Sequence, residues 1–114
     1  MTRIAIVAGA LVLVSLPARA QTAAQKRAAL QNPAAAFWRA HAPDTVTADV
    51  VTSRGTFTVE LVRAWAPAGV DRFYNLARAG YFDDSRFFRV VGTFIAQFGI
   101  AGNPAIASLW GSLA

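Results

Sequence analysis

The run Arg86-Phe87-Phe88-Arg89-Val90-Val91-Gly92-Thr93-Phe94-Ile95-Ala96-Gln97-Phe98-Gly99-Ile100-Ala101-Gly102 constrains the fold more than any other stretch. Residues 87–91 and 94–98 are rich in aromatic and branched apolar side chains, and Gly92-Thr93 interrupts them. Such composition favours extended backbone, so the pattern predicts a β-hairpin. Arg89 and Gln97 stand inside it, where a plain hairpin core would carry apolar residues. A three-residue loop, Gly92-Thr93-Phe94, pairs Val91 with Ile95 and sets Arg89 opposite Gln97. Alternation then gives Arg89, Val91, Ile95 and Gln97 one face, and Phe88, Val90, Ala96 and Phe98 the other, a continuous apolar wall. A two-residue loop pairs Val91 with Phe94 and sets Arg89 opposite Ala96 instead.

These residues resemble the signature of the cyclophilin family of peptidyl-prolyl cis-trans isomerases, roughly F-H-R-x-[VI]-P-G-F-x-x-Q-G-G-D. Phe87, Arg89, Phe94 and Gln97 keep its mutual spacing. Phe88 stands at the histidine position, Gly92-Thr93 at proline-glycine, Phe98 at a glycine and Ile100 at the aspartate. The F-F-R and Q-F-G variants look like a bacterial branch of the family. The resemblance extends from about position 46 to about position 110, and it implies a fold and a set of roles. Family members close an eight-stranded barrel capped by two helices, and this chain carries counterparts of the N-terminal half only. The expected fold is therefore mostly β: a partial cyclophilin-like antiparallel barrel of two hairpins and one helix, preceded by a signal peptide and a helical arm. By the same resemblance, Arg89 is the donor to the prolyl amide, Gln97 orients it, and Phe94 and Ile95 line the proline pocket. Phe88 is expected to face the barrel interior. Neither cofactor nor metal is implied, and the implied partners are proline-containing polypeptides. The family's remaining pocket residues have no counterpart in this chain. Two alternatives therefore stand beside catalysis: a truncated inactive fragment, and a non-catalytic binder of proline-containing peptides.

Three segments follow from reading the chain in order. Residues 1–20 have the form of a secretory signal: Arg3, an uncharged and mostly apolar run over 4–16, and Ala18-Arg19-Ala20 as a small-x-small cleavage site. The apolar run is shorter than the ~20 residues that span a bilayer. A retained membrane anchor is the competing reading of this segment. Removing the first 20 of 114 residues leaves 94, in a periplasm or outside the cell, with no stable membrane insertion afterwards. Residues 21–44 form an arm or linker. Positions 22–31 have helix-forming composition, Asn32-Pro33 stops them, and Phe37-Trp38 is expected to dock on the domain. His41, the only histidine, lies just before Pro43 in a loop and reads as a surface residue.

Residues 45–114 form the domain. Val46, Ala48 and Val50 alternate, Ser53-Arg54-Gly55-Thr56 turns the chain, and Phe57, Val59 and Leu61 alternate again, which predicts a first hairpin. Pro67 opens a helix, Asp71 lies near its first turn, and Gly80 ends it as a left-handed cap. Val70, Phe73 and Ala77, with Leu76 beside them, form a stripe that packs on the sheet. The absence of cysteine excludes disulfides and thiolate chemistry. Net charge is +5 for the whole chain, and nine basic against six acidic residues remain after signal removal. The basic residues are scattered, so no nucleic-acid patch is expected. Asp83-Asp84 lacks the further oxygen ligands of a cation site.

Overall fold

A computed structural model describes residues 3–7 and 21–111. Its elements are β1 (Arg3–Val7), α1 (Ala23–Gln31), β2 (Thr45–Thr52), β3 (Gly55–Val62), α2 (Pro67–Arg78), β4 (Arg89–Val91), β5 (Ile95–Gln97) and α3 (Pro104–Gly111). Short 3-10 turns occupy Ala36–Arg39 and Arg63–Trp65.

The first hairpin forms where alternation placed it. Thr52 pairs with Gly55 across a two-residue loop, and the ladder runs from there to Thr45 opposite Val62. Gly55 takes φ +129°, a conformation open to glycine. The Thr52 hydroxyl accepts from Arg54 N–H at 3.1 Å and donates to the Gly55 carbonyl at 2.7 Å, which fixes the turn. Val46, Ala48 and Val50 are buried on one face, opposite Leu61, Val59 and Phe57 respectively.

Helix α2 covers that face. Pro67 starts it, and its end is a Schellman motif: Tyr81 N–H donates to Leu76 O, Gly80 N–H donates to Ala77 O, and Gly80 has φ +80°. Val70 packs with Val46 and Ala42, while Ala77 packs with Ala48, Val50 and Phe82. Residues 37–40 are tied to the same helix. Asn75, buried to 1 % exposure, donates from Nδ2 to the carbonyls of Trp38 (3.2 Å) and Ala40 (2.7 Å). Arg78 donates to Asn75 Oδ1 and to the Phe37 carbonyl, with its guanidinium over the Phe37 ring.

Three features differ from the expected mostly-β partial barrel with one domain helix. First, the content is mixed: two antiparallel hairpins accompany three α-helices, and the β1-β2-β3 and β4-β5 sheets form no closed barrel among the described residues. A barrel requires every strand edge to be paired around a ring. Second, Arg3–Val7, inside the segment read as a signal, pairs antiparallel with β2 and buries Ile4 in the core. The predicted cleavage site at 18–20 lies outside the described residues. Third, α3 forms because the Asn103 side chain accepts from the N–H groups of Ala105 and Ile106, with Pro104 as the first helical residue. Trp110 then docks α3 on the arm, donating from its indole to Leu30 O at 2.9 Å and meeting the Trp38 ring edge-on at 4.8 Å.

Candidate functional site

The second hairpin takes the three-residue loop. Phe94 N–H donates to Val91 O at 3.1 Å, and the strand partners are Val91–Ile95, Val90–Ala96 and Arg89–Gln97. Phe88 N–H donates to Gln97 O at 3.0 Å and extends the pairing by one residue. Arg89 and Gln97 therefore stand side by side on one face with Val91 and Ile95. Thr93 sits at the tip with φ +62°, left-handed backbone that a β-branched residue adopts only under strain.

The hairpin is held to the core at its base. The Phe98 ring lies 5.1 Å from Phe87 and 5.8 Å from Phe82, and Phe82 is 5.2 Å from Phe73 of α2. Ser85, buried, donates from its hydroxyl to Ile100 O at 2.7 Å. Gly102 passes so close to the preceding turn that a Cβ there would lie 2.5 Å from Asp84 O. These contacts clamp the turn before β4 to the strand exit after β5.

Beyond that base the hairpin projects into solvent. Arg89 is exposed and Gln97 half-buried. Phe94 is 78 % exposed and Ile95 36 %, so the two residues expected to line a proline pocket form an open apolar ledge. The expected apolar wall on the opposite face is covered only at Phe98, and Val90 and Phe88 are open. Phe88 borders a recess of about 470 Å³ with Asp84, Arg86, Ile100, Ala101 and Gly102. A second recess, about 640 Å³, lies between the hairpins and is lined by residues including Arg54, Phe57, Phe87 and Ala96. Neither recess includes Arg89, Gln97, Phe94 or Ile95 in its lining.

A separate charged cluster escaped the sequence reading. Asp71 lies one position past the first turn of α2, and its carboxylate turns toward Arg63 rather than the helix end. Arg63 donates to it from Nε (2.8 Å) and Nη2 (2.9 Å), Ala42 N–H donates at 2.8 Å, and His41 Nδ1 lies 2.8 Å away. The Arg63 hydrogen bonds, then those of His41 and Ala42, hold the Asp71 carboxyl well below the usual carboxylate range. Bonding to Asp71 in turn raises Arg63 above its ordinary value. The group ties residues 41 and 42 to α2. Its partners lie 8, 29 and 30 positions from Asp71, so local spacing gave no signal. Among the described residues no group of three or more His, Cys, Asp or Glu side chains is placed to hold a metal ion. Nor, among them, is any helix long and apolar enough to cross a membrane.

The hairpin thus presents one guanidinium, one amide and a row of apolar side chains on a largely exposed surface. The chain belongs to the cyclophilin-type peptidyl-prolyl cis-trans isomerase family, whose model matches residues 47–108. It is similar to peptidyl-prolyl cis-trans isomerase-like 1 of Aspergillus niger, 44 % identical over 48 residues that make up 42 % of this chain and 30 % of the relative. It is also similar to a peptidyl-prolyl cis-trans isomerase of Helicobacter pylori, 38 % identical over 55 residues (48 % of this chain, 34 % of the relative). A third relative, from Arabidopsis thaliana, is 42 % identical over 57 residues, covering 50 % of this chain and 34 % of its own length. The chain spans about a third of the length of these curated relatives. No solved structure matches it.

Proposed function

We propose that this chain accelerates cis-trans isomerisation of X-Pro bonds in exported polypeptides, with Arg89 as the catalytic donor and Gln97 as its positioning residue. The reaction needs no bond to break. Rotation must overcome amide resonance, a barrier of ~20 kcal/mol, and uncatalysed exchange takes tens of seconds or more. A catalyst need only bind the twisted amide better than either planar form. In the twisted state the prolyl nitrogen regains a lone pair and can accept a hydrogen bond. A guanidinium aimed at that nitrogen stabilises the transition state selectively. Gln97, directly across the strand pair, restricts where the guanidinium points, and Phe94 and Ile95 offer the proline ring an apolar seat.

The observation that carries this reading is the register that sets Arg89 opposite Gln97 within the segment matched to the family. Export is supported by the composition of residues 1–20, and a polypeptide partner rather than a nucleic acid by the scatter of basic residues. The openness of Phe94 favours one second reading, a binder that holds proline-containing peptides without turning them over. A protease-coupled assay on an X-Pro peptide separates the two. Catalysis predicts that Arg89→Ala loses about 10²–10³ of the catalysed rate, the usual cost of one transition-state donor. Equal rates for the two proteins, with peptide binding retained, leave the binder.

A further inference from the structure

Strand β2 is the middle strand of its sheet, and its two neighbours are held very differently. β3 follows it through a two-residue turn. β1 is separated from β2 by residues 8–44, so no tight turn closes that pair, and its pairing is a long-range closure that costs entropy. Yet the pairing is regular. Five consecutive residues are in register, from Arg3 opposite Val51 to Val7 opposite Thr47. Ile4, opposite Val50, is 6 % exposed in a socket formed with Ala48, Val50, Ala77 and Phe82. Ala48 and Ala77 are small, and that leaves room for a branched side chain from a neighbouring strand.

We propose that the outer edge of β2 is a strand-acceptor site. Arg3–Val7 is its resident, displaceable occupant, and an extended peptide with a branched apolar residue at the position of Ile4 is its exchange ligand. Backbone hydrogen bonds along β2 supply affinity, and the socket beside Ala48 and Ala77 supplies selectivity. The same five residues open the segment read as an export signal. Processing after Ala20 would remove the occupant and leave the edge free. That step rests on the exported reading; strand exchange itself does not.

The test is fluorescence anisotropy with a labelled Arg-Ile-Ala-Ile-Val peptide on the full chain. In the wild-type chain the tethered segment competes at high effective concentration. Ile4→Asp should therefore bind the peptide at least tenfold more tightly than wild type, and an Arg-Asp-Ala-Ile-Val peptide should not bind. Equal affinity for the two proteins overturns the proposal, as does no binding by a folded Ile4→Asp chain. A second variant keeps Ile4 and decides the matter if Ile4→Asp fails to fold. The chain has no cysteine, and Ala5 lies opposite Asp49, so Ala5→Cys with Asp49→Cys offers one cross-strand bridge. Oxidation should abolish peptide binding and reduction restore it. A bridge that does not form, or one that leaves binding unchanged, overturns the proposal. N-terminal sequencing of the exported chain tests the leader separately: an unprocessed chain refutes release by processing and leaves the acceptor result standing.

Discussion

Replacing Thr93 by glycine should make the β4-β5 hairpin more stable. Thr93 holds φ +62° at the third position of the turn closed by Phe94 N–H and Val91 O, where a positive φ favours glycine. An L residue in left-handed backbone costs about 1–2 kcal/mol. Glycine relieves that strain but loses roughly 0.5–1 kcal/mol more in conformational entropy on folding. The Thr93 hydroxyl, which donates to the adjacent Gly92 carbonyl, is solvent-exposed and adds little. The net gain is therefore about 0.5–1 kcal/mol, confined to the hairpin. Amide exchange reads it locally, because Phe94 N–H and Phe88 N–H are both bonded within the hairpin. Protection at both should rise about two- to fivefold in Thr93→Gly. Thr93→Ala keeps the strained φ and should stay near wild type. Unchanged or faster exchange in Thr93→Gly would refute the strain argument.

Gly102→Ala should destabilise the fold by about 1–3 kcal/mol, because the added methyl would collide with the backbone at Asp84. Gly111→Ala, with open space around it, should leave the urea midpoint unchanged, and equal midpoints for the two variants would contradict the clamp. Asp71 is more acidic folded than unfolded, so its contribution to stability is complete above the unfolded carboxylate value of ~4 and fades as pH falls through the lower folded one. Asp71→Asn should be less stable at neutral pH, with the gap closing in acid; a constant gap in acid unfolding would refute this.

The second hairpin and its shared faces were legible in the sequence because period-2 alternation fixes which residues share a strand face once the loop length is known. Residues 87–98 carried that information in their own composition. The first hairpin, α2 and the Gly80 cap were legible for the same local reason. What was not legible depended on distance or on missing cover. β1 pairs with β2 across residues 8–44, and its apolar composition suits a leader as well as a strand. The Arg63–Asp71–His41 group is assembled by the arm folding back on α2. Helix α3 was within reach: Asn103-Pro104 is a cap followed by a first-turn proline, the reverse of the Asn32-Pro33 stop. The openness of Phe94 depends on what packs against it, and local patterning says nothing about that.

In the proposed mechanism Arg89 and Gln97 act as one unit across the β4-β5 pair. The direct measurement is a double-mutant cycle on the catalysed exchange rate of an X-Pro peptide, followed by NMR exchange spectroscopy. If the amide acts through the guanidinium, Arg89→Ala combined with Gln97→Leu should be no slower than Arg89→Ala alone. Strictly additive losses, or a wild-type chain that leaves the peptide at its uncatalysed rate, would contradict catalysis by the Arg89–Gln97 pair.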